Sequence, residues 1–144
     1  MVFKFQKPED SPGFLLWQIT NHWQRLQRAA LLKLNITHAQ FVILAALLYL
    51  TNQNEPVNQK IISDLTGIDK MSTSDLISTL LKKKMIKKTK SKSDARAFSL
   101  SLTVKGKNIV LKAIPVVEKI DIAFFNKKTP HLVRFSKLLN ELIS

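Results

Sequence analysis

Residues 58–84 read NQKIISDLTGIDKMSTSDLISTLLKKK. Two short amphipathic segments flank Gly67. In the first, about Asn58 to Thr66, Ile61, Ile62 and Leu65 recur at helical spacing. Gly67 can take the left-handed conformation that ends a helix without steric cost. The second segment begins at Asp69 or Met71 and runs to about Lys84. At 100° per residue, Thr73, Leu76, Ile77, Leu80 and Leu81 share one face, and Met71, Ser72, Asp75, Ser78, Thr79 and Lys82 share the other. The spacing predicts a helix-turn-helix whose second helix keeps a small, polar outer face. Small outer residues let a helix backbone come close to base edges in a major groove.

The next stretch, Lys82 to Arg96, is KKKMIKKTKSKSDAR and carries a net charge of +7 out of +13 for the chain. Residues 1–81 carry only +1. Charge concentrated this way suits contact with a polyanion, although a like-charge run can be only a solvated loop. Met85–Lys90 and Ala97–Leu102 favour extended structure. Phe98, Leu100 and Leu102 alternate with small polar residues, so one face is expected to be buried. Ser91–Ala95 supplies the turn. A helix-turn-helix followed by a hairpin is a winged helix, with the basic stretch as its wing.

Outward from this centre the chain is helical. Ser11-Pro12 reads as a cap followed by proline at the first helical position. Leu16, Ile19, Trp23, Leu26 and Ala30 mark an amphipathic helix from Phe14 to about Leu34, longer than a small core needs. Thr37 and Gln40 can form a capping box for a helix over His38–Asn52. That helix is apolar nearly all round and belongs at a domain centre. After Thr103 a long helix carries Ile109, Ala113, Val116, Val117, Ile120 and Phe124, with Pro115 inside it, where a kink or a break is expected. Pro130 opens a last helix bearing Leu132, Phe135, Leu138, Leu139 and Leu142. The expected class is mainly α, a single domain over 1–144 with a small β wing.

Bulk composition narrows the functional classes. The 144 residues include no cysteine, which excludes disulfides, thiol nucleophiles and Cys-based metal or redox sites. His22, His38 and His131 have no ligand-spaced partners, so no metal site is expected. No nucleophile–base pair, phosphate-cradling glycine loop or paired carboxylate is evident, so neither an enzyme nor a cofactor is expected. The start, MVFKFQKPED, has no apolar run of signal-peptide length, and Phe41–Leu48 is too short to span a bilayer. No membrane partner and a cytoplasmic location are expected.

Three stretches resemble the MarR family of bacterial transcriptional regulators. Ile36-Thr37-His38-Ala39-Gln40-Phe41-Val42-Ile43-Leu44 resembles the "LTxxQFxVL" at the start of the family's second helix. Ile68-Asp69-Lys70-Met71-Ser72-Thr73-Ser74 resembles the "IDKSTVT" that opens its recognition helix. Asp94-Ala95-Arg96, followed by Leu102-Thr103-Val104-Lys105-Gly106, resembles its wing "DxR" and the "LTxKG" before its fifth helix. The resemblance covers the chain from about residue 12 to its C-terminus. It implies a homodimer in which 11–34 and 104–144 are dimerisation helices. It places the winged helix at 37–103, with the recognition helix at about 70–84 and the wing at about 85–102.

By the same resemblance the partner is double-stranded DNA carrying a pseudo-palindromic operator, and repression is the usual family mode. Arg96 at the wing tip would enter the minor groove, held by Asp94. Lys88, Lys90 and Lys92 would meet phosphates, and Ser72, Thr73, Ser74, Ser78 and Thr79 would contact phosphates or base edges. Three positions depart from the family. Asp75 and Thr79 stand where arginine is common, and Lys84 where glycine is usual.

Relatives often release DNA when a small aromatic acid binds, and Trp17, His22, Trp23, Arg25 and Phe41 are the candidates for such an effector site. Aromatics at helical spacing are more often packing, and packing is the favoured reading. Two rival functions use the same fold. One is a protein-docking winged helix, which needs the lysines to be solvated or to face an acidic protein. The other is a weakly specific nucleic-acid-binding or architectural protein.

Overall fold

The structure, a computed structural model, describes residues 2–53, 55–90, 98–125 and 129–144. The described elements run α1 (Pro12–Leu31), α2 (His38–Thr51), α3 (Gln59–Thr66), α4 (Lys70–Lys82), β1 (Ile86–Lys90), β2 (Phe98–Leu102), α5 (Val104–Phe125) and α6 (Thr129–Ile143). Short 3-10 turns at Pro8–Asp10 and Leu32–Leu34 precede and follow α1. The chain divides into two compact units, residues 31–116 and residues 1–30 with 117–144.

In the 31–116 unit, local chemistry sets the helix ends. Thr37 Oγ1 accepts from Gln40 N–H while Gln40 Oε1 accepts from Thr37 N–H, the capping box expected before α2. Asn58 caps α3 through Ile61 N–H, and Asp69 caps α4 through Ser72 N–H. Gly67, at φ 73°, ends α3 with a bond from its N–H to Ser63 O. α2 is the centre, with Phe41, Ile43, Leu44, Ala46 and Leu47 buried. Ile62, Ile77, Leu80 and Leu100 bury around it from α3, α4 and β2.

α4 ends on Lys84 in the left-handed region, at φ 59°. Lys84 N–H donates to Leu81 O and Met85 N–H to Leu80 O, both at 3.0 Å. This pair of bonds is the Schellman motif, which glycine normally supplies. The "LTxKG" stretch then locks onto the turn. Thr103 N–H donates to Met85 O (3.0 Å), Thr103 Oγ1 donates to Lys84 O (2.7 Å), and Lys105 Nζ donates to Lys83 O (3.0 Å). Thr103 Oγ1 also accepts from Gly106 N–H, capping α5. A Cβ built on Gly106 would overlap the Met85 carbonyl oxygen and lie 2.8 Å from its carbon. Glycine is required here because two backbones meet.

β1 and β2 are antiparallel, with Ile86 opposite Leu102, Lys88 opposite Leu100 and Lys90 opposite Phe98. Leu100 N–H also donates to Val57 O at 2.7 Å, tying the hairpin to the segment before α3. The expected buried face is only partly buried. Leu100 is buried, but Phe98 is 52% exposed, with Lys88 Nζ 5.8 Å from its ring centroid. The hairpin outruns the core at this end, so a lysine covers the ring instead of apolar neighbours.

In the unit formed by residues 1–30 and 117–144, Trp23 Nε1 and Gln27 Nε2 both donate to Asp121 Oδ1, at 2.7 and 2.8 Å. Gln27 is fully buried and also reaches Val117 O. It lies one residue from the stripe read in the sequence, whose Leu16, Ile19 and Leu26 are instead exposed. Phe125 stacks obliquely on Phe135, with centroids 5.2 Å apart, and meets Phe124 edge-on. Leu138 and Leu142 of α6 remain 52% and 81% exposed. α5 is assigned as one unbroken helix through Pro115. Pro115 is exposed, where the carbonyl it leaves without an N–H partner can reach water.

Candidate nucleic-acid interface

The outer face of α4 matches the division read from its spacing. Met71, Ser72, Ser74, Asp75, Ser78, Thr79 and Lys82 are all exposed. Thr73 is not: it is 0% exposed, and its hydroxyl donates to Ile68 O at 3.2 Å. Thr73 therefore leaves the set of DNA-facing candidates. It holds the turn between α3 and α4, because a hydroxyl pointing into a core must find a carbonyl. Thr79 Oγ1 donates to Asp75 O one turn back, so the hydroxyl proton is already committed.

The lysines divide into structural and free ones. Lys83 Nζ donates to Asn35 O at 2.7 Å and to Gln40 Oε1 at 3.3 Å, joining the end of α4 to the start of α2. Lys82, Lys84, Lys87, Lys88 and Lys90 are exposed. By the strand register Lys88 and Lys90 share the hairpin face with Leu100 and Phe98, while Lys87 lies on the opposite face. Lys92, Asp94 and Arg96 fall outside the described residues. The reading from residue types passed over Lys70, exposed at the first position of α4 beside the Asp69 cap. Its signal was only one isolated charge.

The proton affinity of Asp69 is lowered. The hydrogen bonds from Ser72, side chain and backbone, hold its carboxyl below the usual carboxylate range. No cluster of His, Asp or Glu suited to a metal exists among the described residues. Among the same residues no single helix is long and apolar enough to cross a membrane.

The effector candidates are distributed over the two units. In the unit containing residues 1–30, Trp17 and Arg25 are exposed, His22 meets Phe124 edge-on at 5.3 Å, and Trp23 bonds Asp121. In the other unit Phe41 is buried, with its ring stacked on His38 at 6.1 Å. His22, Trp23 and Phe41 thus all take part in packing, as aromatics at helical spacing commonly do.

Residues 33–121 match the family model described as ArnR1-like, winged-helix domain. The chain is 44% identical over 122 residues to a Bacillus subtilis (strain 168) protein described as an uncharacterized HTH-type transcriptional regulator, YdcH. That alignment covers 85% of this chain and 83% of the relative. The fold is similar to BpsR of Bordetella bronchiseptica, whose DNA binding is regulated by 6-hydroxynicotinic acid (TM-score 0.83, 22% identity, covering 94% of this chain and 95% of that one). It is also similar to S. aureus MepR in complex with DNA (TM-score 0.82, 18% identity, 95% and 97% covered). A third similar structure is a cysteine-to-serine mutant of E. coli MarR complexed with operator DNA (TM-score 0.79, 18% identity, 92% and 93% covered).

Proposed function

Because this chain belongs to the ArnR1-like winged-helix family and has the MarR-type fold, we propose that it is a transcriptional regulator that binds double-stranded DNA. The observation that carries the reading is the outer face of α4. A helix held by three core residues, Thr73, Ile77 and Leu80, presents serines and a threonine outward, and exposed lysines follow it directly on β1. Small side chains let the helix backbone approach base edges, and lysines on the adjoining strand suit flanking phosphates.

We further propose a homodimer on a pseudo-palindromic operator. In the unit containing the chain's two ends, Leu16, Ile19 and Leu26 of α1, Ile122 of α5 and Val133, Leu138 and Leu142 of α6 are exposed apolar side chains. In a helix-turn-helix dimer the two half-sites lie one helical turn, about 34–36 Å, or a multiple of it apart, and a second copy would bury this apolar surface. Repression by occupancy of the operator, relieved by a small-molecule effector, completes the reading. The effector comes from the relatives, since 6-hydroxynicotinic acid regulates DNA binding in BpsR. The committed hydroxyl of Thr79 favours a second reading, a weakly specific nucleic-acid-binding protein.

Mobility-shift titration against genomic fragments and random duplexes at graded salt tests both. If six or more phosphates are neutralised, affinity falls by roughly 10³ or more between 50 and 200 mM salt. A flat salt response removes the phosphate contacts, and no binding to any duplex supports the protein-docking alternative. Equal binding to all duplexes supports the weakly specific one.

A further inference from the structure

Asp75 is the single negative charge on the exposed face of α4, and among the described residues no side chain pairs with it. Its neighbours three and four residues away are Met71, Ser72, Ser78 and Thr79, all uncharged and all exposed. Among the described residues no ion pair reaches its carboxylate, and the Thr79 hydroxyl bonds its backbone carbonyl instead. Asp69 holds the cap, and Asp75 lies beyond the first turn of α4, where a carboxylate gains little from the helix dipole. Set against DNA, this charge opposes binding to every sequence alike unless a base edge offsets it.

The base edges offer one well-matched partner. Cytosine presents an amino donor at N4 in the major groove. The adenine amino group lies beside the N7 acceptor, which repels a carboxylate, and guanine offers only acceptors. Thymine offers an acceptor and a methyl group. A carboxylate on so short a stem can reach a base only when the helix sits deep. Ser72, Ser78 and Thr79 around it are small enough to allow that. We infer that Asp75 is a specificity-determining residue that accepts a hydrogen bond from a cytosine N4 amino group, so that each half-site contains one obligatory C·G pair. The inference rests on the DNA-binding reading above and narrows it.

Selection of the full-length protein against a randomised duplex library, followed by sequencing, tests this together with Asp75→Ala and Asp75→Asn. The native chain is expected to enrich cytosine at one position per half-site. Replacing that C·G pair by T·A lowers its affinity roughly 5- to 150-fold. Asp75→Ala loses preference at that position alone and binds other duplexes as tightly or more tightly. Asp75→Asn shifts the preference there towards adenine, whose N6 and N7 an amide matches. The exposed position leaves both variants with an unfolding midpoint no lower than the native chain's, which separates loss of reading from loss of fold. An unaltered base preference in Asp75→Ala, with a uniform gain in affinity, overturns the inference and leaves the DNA-binding reading intact. Failure of the native chain to bind any duplex overturns both.

Discussion

Replacing Gly106 by alanine tests how the wing is attached to the recognition helix. The added Cβ overlaps the Met85 carbonyl oxygen and sits 2.8 Å from its carbon. Both obstacles are backbone, so no side chain can rotate away, and the start of α5 must move off the α4–β1 turn. That movement strains three bonds into the turn: Thr103 N–H to Met85 O, Thr103 Oγ1 to Lys84 O, and Lys105 Nζ to Lys83 O. Overpacking typically costs about 1–3 kcal/mol, and losing two of these bonds adds about 1–3 kcal/mol. Alanine returns about 1 kcal/mol through its helix propensity. The net expectation is a loss of roughly 1–5 kcal/mol, from a total stability of about 5–15 kcal/mol. Urea unfolding followed by far-UV circular dichroism, at one fixed protein concentration, measures it. A loss below about 0.5 kcal/mol would falsify the idea that Gly106 is required by backbone contact.

Three further outcomes are expected. Lys84→Gly relieves a left-handed residue and stabilises by about 0.5–1 kcal/mol, less than the full strain because glycine is freer when unfolded. A lower melting temperature would mean that the Lys84 side chain contributes more than its backbone strain removes. The Asp69 carboxyl titrates below its ordinary value, so its cap contributes fully above the unfolded pKa near 3.8 and is lost as pH falls through the lower folded pKa. Asp69→Asn keeps an acceptor and abolishes this acid dependence; an unchanged acid-unfolding profile would remove Asp69 as its source. Arg96→Ala, a position assigned by resemblance to the family's wing motif, weakens operator binding by roughly 1–3 kcal/mol with the dimer preserved in sedimentation. Binding equal to the native chain's would show that the wing tip does not read the groove.

The Thr37 cap and the left-handed Gly67 were legible in the sequence because a cap bonds its own helix within three or four residues, whereas Asn58 and Asp69 were read only as approximate helix starts and the structure shows them to be caps. The two faces of α4 were legible for the same reason, since 3.6-residue periodicity needs no knowledge of the partner. Thr73 shows the limit of reasoning from residue type. Its hydroxyl suggested DNA, while its position in the helical period had already placed it inside. The family resemblance marked Lys84 and Gly106 as positions of note but not what each does there.

Sequence alone determined a helix-turn-helix with a basic hairpin behind it, and therefore where a polyanion contact would lie. Tertiary structure decided which lysines are free to make that contact. Lys83 is spent on Asn35 O and Gln40 Oε1, more than forty residues away, and strand register sets Lys88 beside Phe98. It also decided that Gly106 must lack a side chain and that Leu16, Ile19 and Leu138 stay uncovered within one chain. The physical reason is range. Caps and helical faces are settled between near neighbours in the chain, whereas a lysine's partner, a strand's register and a close backbone approach depend on segments that only folding brings together.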